Sequence, residues 1–358
     1  MARTIIPFGP QHPVLPEPLH MKLVVEDEIV LEAIPALGYV HRGLEKLAEI
    51  RDYHQMIQVV ERVCGICSMI HSLCYCQGIE EMMKIEVPER AKYLRTIWSE
   101  LHRMHSHLLW LGLFADAFGF ESLFMQFWRI RERIMDLNEA TTGSRVIVSV
   151  NVVGGVRQDL TPEQCSWILT ELAQAEKELK TIQATILNDY TVCKRTKGVG
   201  VLTKEQAYDL GAAGPTLRGS GIAQDMRQLK YAAFDKIDFE PVVENDGDSF
   251  CRSKVRFREV LQSIDLVRAA IAGLPQGDLA APCKGNPEGE LITRVEQPRG
   301  ECLYYMKGNG TKYLDRVRIR TPTFANIPPL IAMMPGIELA DVPVVILSID
   351  PCISCTER

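Results

Sequence analysis

The chain has 358 residues, 46% of them hydrophobic and 24% charged, enough to bury a large core as one big domain or two ordinary ones. Lys and Arg number 40 against 46 Asp and Glu, a formal charge of −6 with no long basic run, so a nucleic-acid partner finds no support. No apolar stretch reaches the roughly 18 residues of a membrane-spanning helix, so the chain is not expected to span a membrane by itself, which leaves docking onto a membrane partner open.

Residues 20–33 predict two short strands around an acidic turn. From Leu44 the apolar period becomes helical, with one helix expected over 44–62 and another over 67–84. Pro88-Glu89 suits the first turn of a long helix reaching Phe118, because proline lacks an N–H that a helix start leaves unused and an acid favours that end. Two more long helices are expected at 121–140 and 161–190, the second opened by Thr161-Pro162-Glu163. Helices of this length suggest a central bundle. Residues 195–250 read as glycine-rich loop, followed by a helix over 252–273 stopped by Gly273 and Pro275. Residues 301–319 read as a hairpin around Gly308-Asn309-Gly310. Pro322, Pro328, Pro329 and Pro335 then predict an irregular tail up to the apolar run 342–349. The expected class is α+β and predominantly α. It is read as one domain over 1–358, comprising an N-terminal β region (1–45), a helical bundle with loops (46–275), and a β-hairpin with a C-terminal ligand segment (276–358).

The chain carries 11 cysteines, an odd number, and nothing like a secretory signal opens it, so a reducing, anaerobic cytosol is expected rather than a disulfide framework. Four of them form two Cys-x-x-Cys pairs at opposite ends, Cys64-Gly65-Ile66-Cys67 and Cys352-Ile353-Ser354-Cys355. Thiolate sulfur selects soft metals: zinc, iron–sulfur clusters, copper(I) or nickel. A zinc ribbon holds its ligands in one compact local unit, whereas these pairs meet only if the fold returns the C-terminus to the first pair. Gly65 allows the tight turn that aims both sulfurs at one point. His71, one helical turn after Cys67, is placed to donate to a thiolate. Taken singly, a Cys-x-x-Cys equally suits structural zinc or a redox dithiol, and a lone histidine is commonly a satisfied interior residue. Chain ends normally fray, so buried ligands this close to one imply something that ties it down. The remaining cysteines (Cys74, Cys76, Cys165, Cys193, Cys251, Cys283 and Cys302) show no four-ligand spacing and read as small buried hydrophobes. The aromatic stretch from Trp110 to Trp128 reads as core or subunit contact.

The joint pattern Arg62-x-Cys64-Gly65-x-Cys67-x-x-x-His71 with Asp350-Pro351-Cys352-x-x-Cys355 resembles the large subunit of nickel–iron hydrogenases. Gly9-Pro10-Gln11-His12-Pro13, Gly38-Tyr39-Val40-His41-Arg42-Gly43-Leu44-Glu45 and Leu217-Arg218-Gly219-Ser220-Gly221 narrow this. They are similar to group 4, energy-converting membrane-bound hydrogenases and to the 49-kDa quinone-site subunit of respiratory complex I. The six-subunit, ferredoxin-dependent type is nearest. The resemblance implies that fold, and a nickel held by all four thiolates. Cys64 and Cys352 would be terminal ligands, while Cys67 and Cys355 would bridge to an iron carrying one carbon monoxide and two cyanides. Arg299 matches the arginine over the open metal position, Asp350 the aspartate that orients it, and Pro322 and Thr323 the segment lining the cyanides. Glu17 matches a glutamate that relays protons from a cysteine sulfur. Without the family, Arg299 reads as a surface salt-bridge partner, Thr321-Pro322-Thr323 as a proline-rich loop, Asp350 as a turn residue and Glu17 as a solvated acid.

Glu45 matches a magnesium-binding glutamate, yet Arg358 stands where many relatives have the second ligand, a histidine. A guanidinium cannot ligate a cation, so an Arg358–Glu45 ion pair is expected in place of magnesium. Arg358 as last residue fits either a product of C-terminal processing or a form encoded without the extension. The implied activity is reversible reduction of protons to hydrogen by ferredoxin. Iron–sulfur clusters are then expected on partners: a small subunit with a 4Fe–4S cluster and a polyferredoxin-like electron-transfer subunit. Integral membrane subunits that move protons or sodium ions complete the complex, with this chain peripheral on the cytoplasmic face. The rival readings are a quinone-site subunit without nickel and a zinc-bearing scaffold.

Overall fold

The computed structural model describes residues 3–358; Met1 and Ala2, the start of the expected β region, lie outside the described residues. Strands β1 (Thr4–Phe8), β2 (His20–Glu26) and β3 (Ile29–Ala36) form an antiparallel sheet in chain order, with β2 and β3 joined through Asp27 and Glu28 at positive φ. Met21, Leu23 and Val25 alternate inward, as a half-buried strand requires. The helix expected over 44–62 is two, α1 (Leu44–Ile50) and α2 (Tyr53–Glu61). Arg51 is extended, and the Asp52 carboxylate accepts from His54 N (2.8 Å), which starts the second helix afresh.

The long helices follow: α3 (Ser68–Met83), α4 (Glu89–Ala117) and α5 (Glu121–Thr142). A small hairpin, β4 (Asn151–Val152) with β5 (Gly155–Val156), leads to α6 (Pro162–Asn188), whose start is closed by a reciprocal capping box of Thr161 and Gln164. Three short helices, α7 (Tyr190–Thr196), α8 (Lys204–Asp209) and α9 (Pro215–Arg218), punctuate the glycine-rich region before α10 (Ser249–Ala272). The expected C-terminal hairpin is one strand larger, with β6 (Glu288–Gln297), β7 (Gly300–Asn309) and β8 (Leu314–Arg320) forming a second three-stranded antiparallel sheet. The first half of β6 is exposed, so it lacks the alternation that marks a strand in sequence. The proline-rich tail is helical: α11 (Pro322–Ala332), α12 (Val342–Ser348) and α13 (Ile353–Glu357). Pro322 sits at a helix start, and α11 buries most of its side chains, which outweighs the N–H groups that Pro328 and Pro329 lack.

Helix α4 is buried along nearly its whole length and is the axis of the bundle, packed by α5 and α10, with α6 packed on those two in turn. A second core joins α2 and α3 to the β6–β8 sheet and holds all four motif cysteines. A third joins the β1–β3 sheet to α11 and α12. Cys74, Cys76, Cys251 and Cys302 are buried as expected, but Cys165, Cys193 and Cys283 are only partly so. Inside the bundle, α4 meets a closed ionic lattice. Arg218 reaches Glu259 (2.7 Å) and Glu296 (2.7 Å), Arg227 reaches Asp225 (2.8 Å), and Glu100 takes Arg103 (3.2 Å). Each of these groups is essentially sealed from solvent, so every one depends on its partners.

The same burial holds the His102 and His107 imidazoles down at about 4, with Glu259 working the other way at His107. An unfolded histidine titrates near 6.5, so below that pH the unfolded chain binds the extra protons and stability falls as pH drops towards 4. At about 1.4 kcal/mol per pH unit, the two together remove on the order of 4 kcal/mol at pH 5. The urea unfolding midpoint is therefore expected to be clearly lower at pH 5 than at pH 7; equal midpoints would exclude two buried neutral imidazoles.

Candidate metal centre

Cys64 and Cys67 sit in the turn between α2 and α3, and Cys352 and Cys355 frame the start of α13. In each pair the first sulfur accepts from a backbone amide of its own turn: Cys64 Sγ from Ile66 N (3.3 Å), two residues on, and Cys352 Sγ from Cys355 N (3.4 Å), three residues on. The pairs then face one another. Cys64 Sγ lies 3.3 Å from Cys352 Sγ, and Cys67 Sγ lies 3.5 Å from Cys355 Sγ. The sulfurs of Cys64, Cys67 and Cys355 all lie within 4.8 Å of one another. No cysteine of the four is more than 2% exposed. Hydrogen bonds from Cys352, Cys355 and Cys67 draw the Cys64 thiol well below its ordinary range, while burial pushes Cys67 and Cys355 well above it. Four soft donors converging in a dry pocket suit a thiophilic transition-metal centre and do not suit a hard cation.

Backbone groups hold the two ends together. Arg42 donates to the carbonyls of Arg62 (2.8 Å), Val63 (2.8 Å) and Ser354 (3.0 Å), so one guanidinium braces the residue before Cys64 and the residue before Cys355. The Glu357 carboxylate accepts from Gly38 N and Val40 N, and His41 Nδ1–H donates to Glu357 O (2.6 Å). From the opposite side, the Glu17 carboxylate accepts from Ile353 N, from Ser354 N (2.9 Å) and from Ser354 Oγ (2.6 Å). Arg42 and His41 stood in a family-like string without a role, and Glu357 gave no signal at all. Only the folded backbone shows what they grip.

Arg299 is the second residue of a two-residue turn between β6 and β7, since Gln297 pairs with Gly300. That turn is pressed onto the glycine before α9. A Cβ on Gly214 would come within 2.2 Å of Arg299 O, and one on Gly300 within 2.5 Å of Gly214 N. Above it, Arg103 donates to the carbonyls of Glu296 (2.8 Å) and Gln297 (3.1 Å). Arg299 itself donates from Nη2 to Asp350 Oδ1 (2.8 Å), from Nε to Asp350 O (2.9 Å) and from Nη1 to Ser106 Oγ (3.3 Å). It is 4% exposed, so the surface salt-bridge reading fails. Burial opposes its charge, but Asp350 and the cysteine sulfurs outweigh burial and keep it protonated. Burial likewise raises the Asp350 carboxyl, against the pull of Arg299. Asp350 makes both contacts from a left-handed backbone (φ 56°), a strain of about 1–3 kcal/mol for a residue with a Cβ. Arg299, Asp350, Cys352 and Glu17 open onto one cavity of about 270 Å³ whose other walls are largely apolar, Trp110 and Trp128 among them.

Pro322 and Thr323 begin α11, directly behind the last cysteine pair. Thr323 Oγ1 accepts from Cys352 N (3.2 Å), and Thr321 Oγ1 donates to Cys355 O (3.0 Å). His71 Nε2 lies 3.4 Å from Cys355 Sγ, and burial holds the ring at about 4, hence neutral. Glu45 accepts from Ile319 N (2.8 Å), Arg358 Nε (3.1 Å) and Arg318 Nη1 (3.1 Å). Burial opposes the Glu45 charge, yet Ile319 N–H and Arg358 hold its carboxyl below the ordinary range. A carboxylate saturated by two guanidiniums and an amide does not fit magnesium, which needs open oxygen ligands.

Three kinds of comparison with known proteins bear on this site: family models, curated relatives and solved structures. The family model for the respiratory-chain NADH dehydrogenase 49 Kd subunit matches residues 117–285 and 282–358, and that for nickel-dependent hydrogenase matches residues 42–114. The carbon monoxide-induced hydrogenase of Rhodospirillum rubrum is 40% identical over the full length of both chains. The membrane-bound hydrogenase subunit alpha of Pyrococcus furiosus is 39% identical over 99% of this chain and 87% of its own. Among solved structures, a chain of the membrane-bound sulfane sulfur reductase, an archaeal respiratory membrane complex, superposes with a TM-score of 0.94 at 30% identity, covering 99% of this chain and 98% of that one.

The surroundings of Glu45 lead to a direct expectation. Removing magnesium with a chelator should leave the melting temperature of the purified chain unchanged, and a drop that added magnesium reverses would show a cation at Glu45.

Proposed function

This chain belongs to the family that joins the large subunits of group 4 membrane-bound hydrogenases to the 49-kDa subunit of complex I, and we propose that it is the catalytic subunit of a ferredoxin-dependent, energy-converting nickel–iron hydrogenase. The observation that carries this reading is the meeting of four buried cysteine sulfurs from opposite ends of the chain. Cys64 and Cys352 would be the terminal nickel ligands, and Cys67 and Cys355 the bridge to an iron bearing one carbon monoxide and two cyanides. When bound, that group supplies the reversible splitting of hydrogen into two protons and two electrons.

The chain's own residues do the rest. Arg299 presents a fixed positive charge to the shared cavity, aimed by Asp350 and Ser106. Cys352 and Glu17 both line that cavity, so a proton taken up at the Cys352 sulfur would have Glu17 as its next acceptor. The Thr323 hydroxyl oxygen accepts from Cys352 N, and its O–H would be the donor to a diatomic ligand of the iron. Electrons would come from ferredoxin through a polyferredoxin-like subunit and the 4Fe–4S cluster of a small subunit, with no iron–sulfur cluster in this chain. No helix among the described residues is long and apolar enough to cross a membrane. Attachment would therefore be peripheral, on the cytoplasmic face, through integral membrane subunits that carry protons or sodium ions.

Two observations favour a second reading. The 49-kDa model covers the longer part of the chain, and the cavity beside Arg299 is mostly apolar, as a quinone site would be. Metal analysis of the purified chain separates the two. About one nickel and one iron per chain supports the hydrogenase, no metal supports a quinone-site subunit, and zinc alone supports a scaffold. Cys355→Ser is expected to abolish nickel and iron incorporation; full metal content with normal hydrogen production would remove the bridging role. Glu17→Gln keeps an acceptor for the Ile353 and Ser354 amides, so the metal content should hold. Hydrogen turnover should then fall by about a hundredfold or more, and unchanged turnover would take Glu17 out of the relay.

A further inference from the structure

The contact between His71 and Cys355 leaves open which ring nitrogen carries the hydrogen, and the answer lies on the far side of the ring. Tyr304, on β7 and fully buried, places its hydroxyl 2.7 Å from His71 Nδ1. The two rings meet edge to face, with centroids 5.9 Å apart at 70°. His71 is thus held between two partners, Tyr304 at Nδ1 and Cys355 at Nε2. A neutral imidazole has one N–H and one lone pair, so the two contacts are not independent. A metal-held cysteine sulfur has no proton to give, and a lone pair at Nε2 would repel it. Nε2 must therefore carry the hydrogen, Nδ1 must accept, and the Tyr304 O–H must be the donor.

We propose that Tyr304 is a positioning residue that fixes His71 as the Nε2–H tautomer, so that the imidazole donates to the Cys355 sulfur. This rests on the reading of Cys355 as a metal-held thiolate given above. A hydrogen bond to a thiolate draws electron density from the sulfur and so tunes the metal it binds. The β6–β7 hairpin then serves the centre twice, with Arg299 in its turn and Tyr304 farther along β7.

Tyr304→Phe removes the hydroxyl and keeps the ring that packs against His71 and Tyr75. Two readouts decide the matter in the metal-loaded full chain. Nitrogen-15 resonances of labelled histidines, recorded in a diamagnetic state, should place the His71 hydrogen on Nε2 in the wild type and lose that single tautomer in Tyr304→Phe. The infrared bands of the iron-bound carbon monoxide and cyanides should shift in the variant at unchanged nickel and iron content, with turnover lowered about tenfold or more. A His71 hydrogen on Nδ1 in the loaded wild type overturns the assignment whether or not the variant folds, as does a variant whose tautomer and bands are unchanged. A wild type that takes up neither nickel nor iron removes the hydrogenase reading and this one with it, so the two failures are told apart.

Discussion

Four cysteine sulfurs drawn from opposite ends of the chain must meet in one dry pocket, and the surrounding structure follows from that requirement. Neither pair contacts the other through much chain of its own. The closure comes from groups that grip backbone: Arg42 on three carbonyls, Glu357 on two amides, and Glu17 on the amides that open α13. A charge-assisted hydrogen bond contributes about 1.5–3 kcal/mol, so no one of these contacts closes the site. Together they hold a C-terminal segment that would otherwise fray.

Arg299 shows the same logic on the other side of the pocket. Its side chain is aimed by Asp350 and Ser106, but its position is set deeper, where Arg103 fixes the carbonyls of Glu296 and Gln297 and Gly214 backs the turn. The ionic lattice around Arg218 and Glu259 links α4, α9, α10 and β6 at that point. Such buried pairs add little net stability, because desolvation offsets their attraction. They do penalise any packing that leaves one charge alone, which suits a fold that must hold a buried guanidinium in one place. The left-handed backbone of Asp350 is the visible strain of that placement.

Relatives named for hydrogen chemistry and a neighbour named for sulfane sulfur reduction share this architecture almost end to end. The fold by itself therefore does not choose the reaction. A cavity walled by tryptophans beside a fixed arginine is common ground for several chemistries. What points to a metal here is the sulfur cluster at its edge.

The long helices were legible because period, proline and caps are local: Thr161 and Gln164 close α6 whatever lies around it. The cysteine pairs, Glu17, Arg299 and Asp350 were legible as residue types in a family-like order. Their geometry was not, and neither was the helix that α11 makes of a proline-rich segment or the strand β6, because burial against distant partners decides both. Arg42, Glu357, Arg103, Ser106 and Tyr304 lie far in sequence from the groups they hold, and a hydrogen bond to a distant backbone leaves no trace in composition or spacing. The sequence by itself determined which atoms can bind a metal. Only the tertiary structure decided that they meet, because that depends on contacts between segments at opposite ends of the chain.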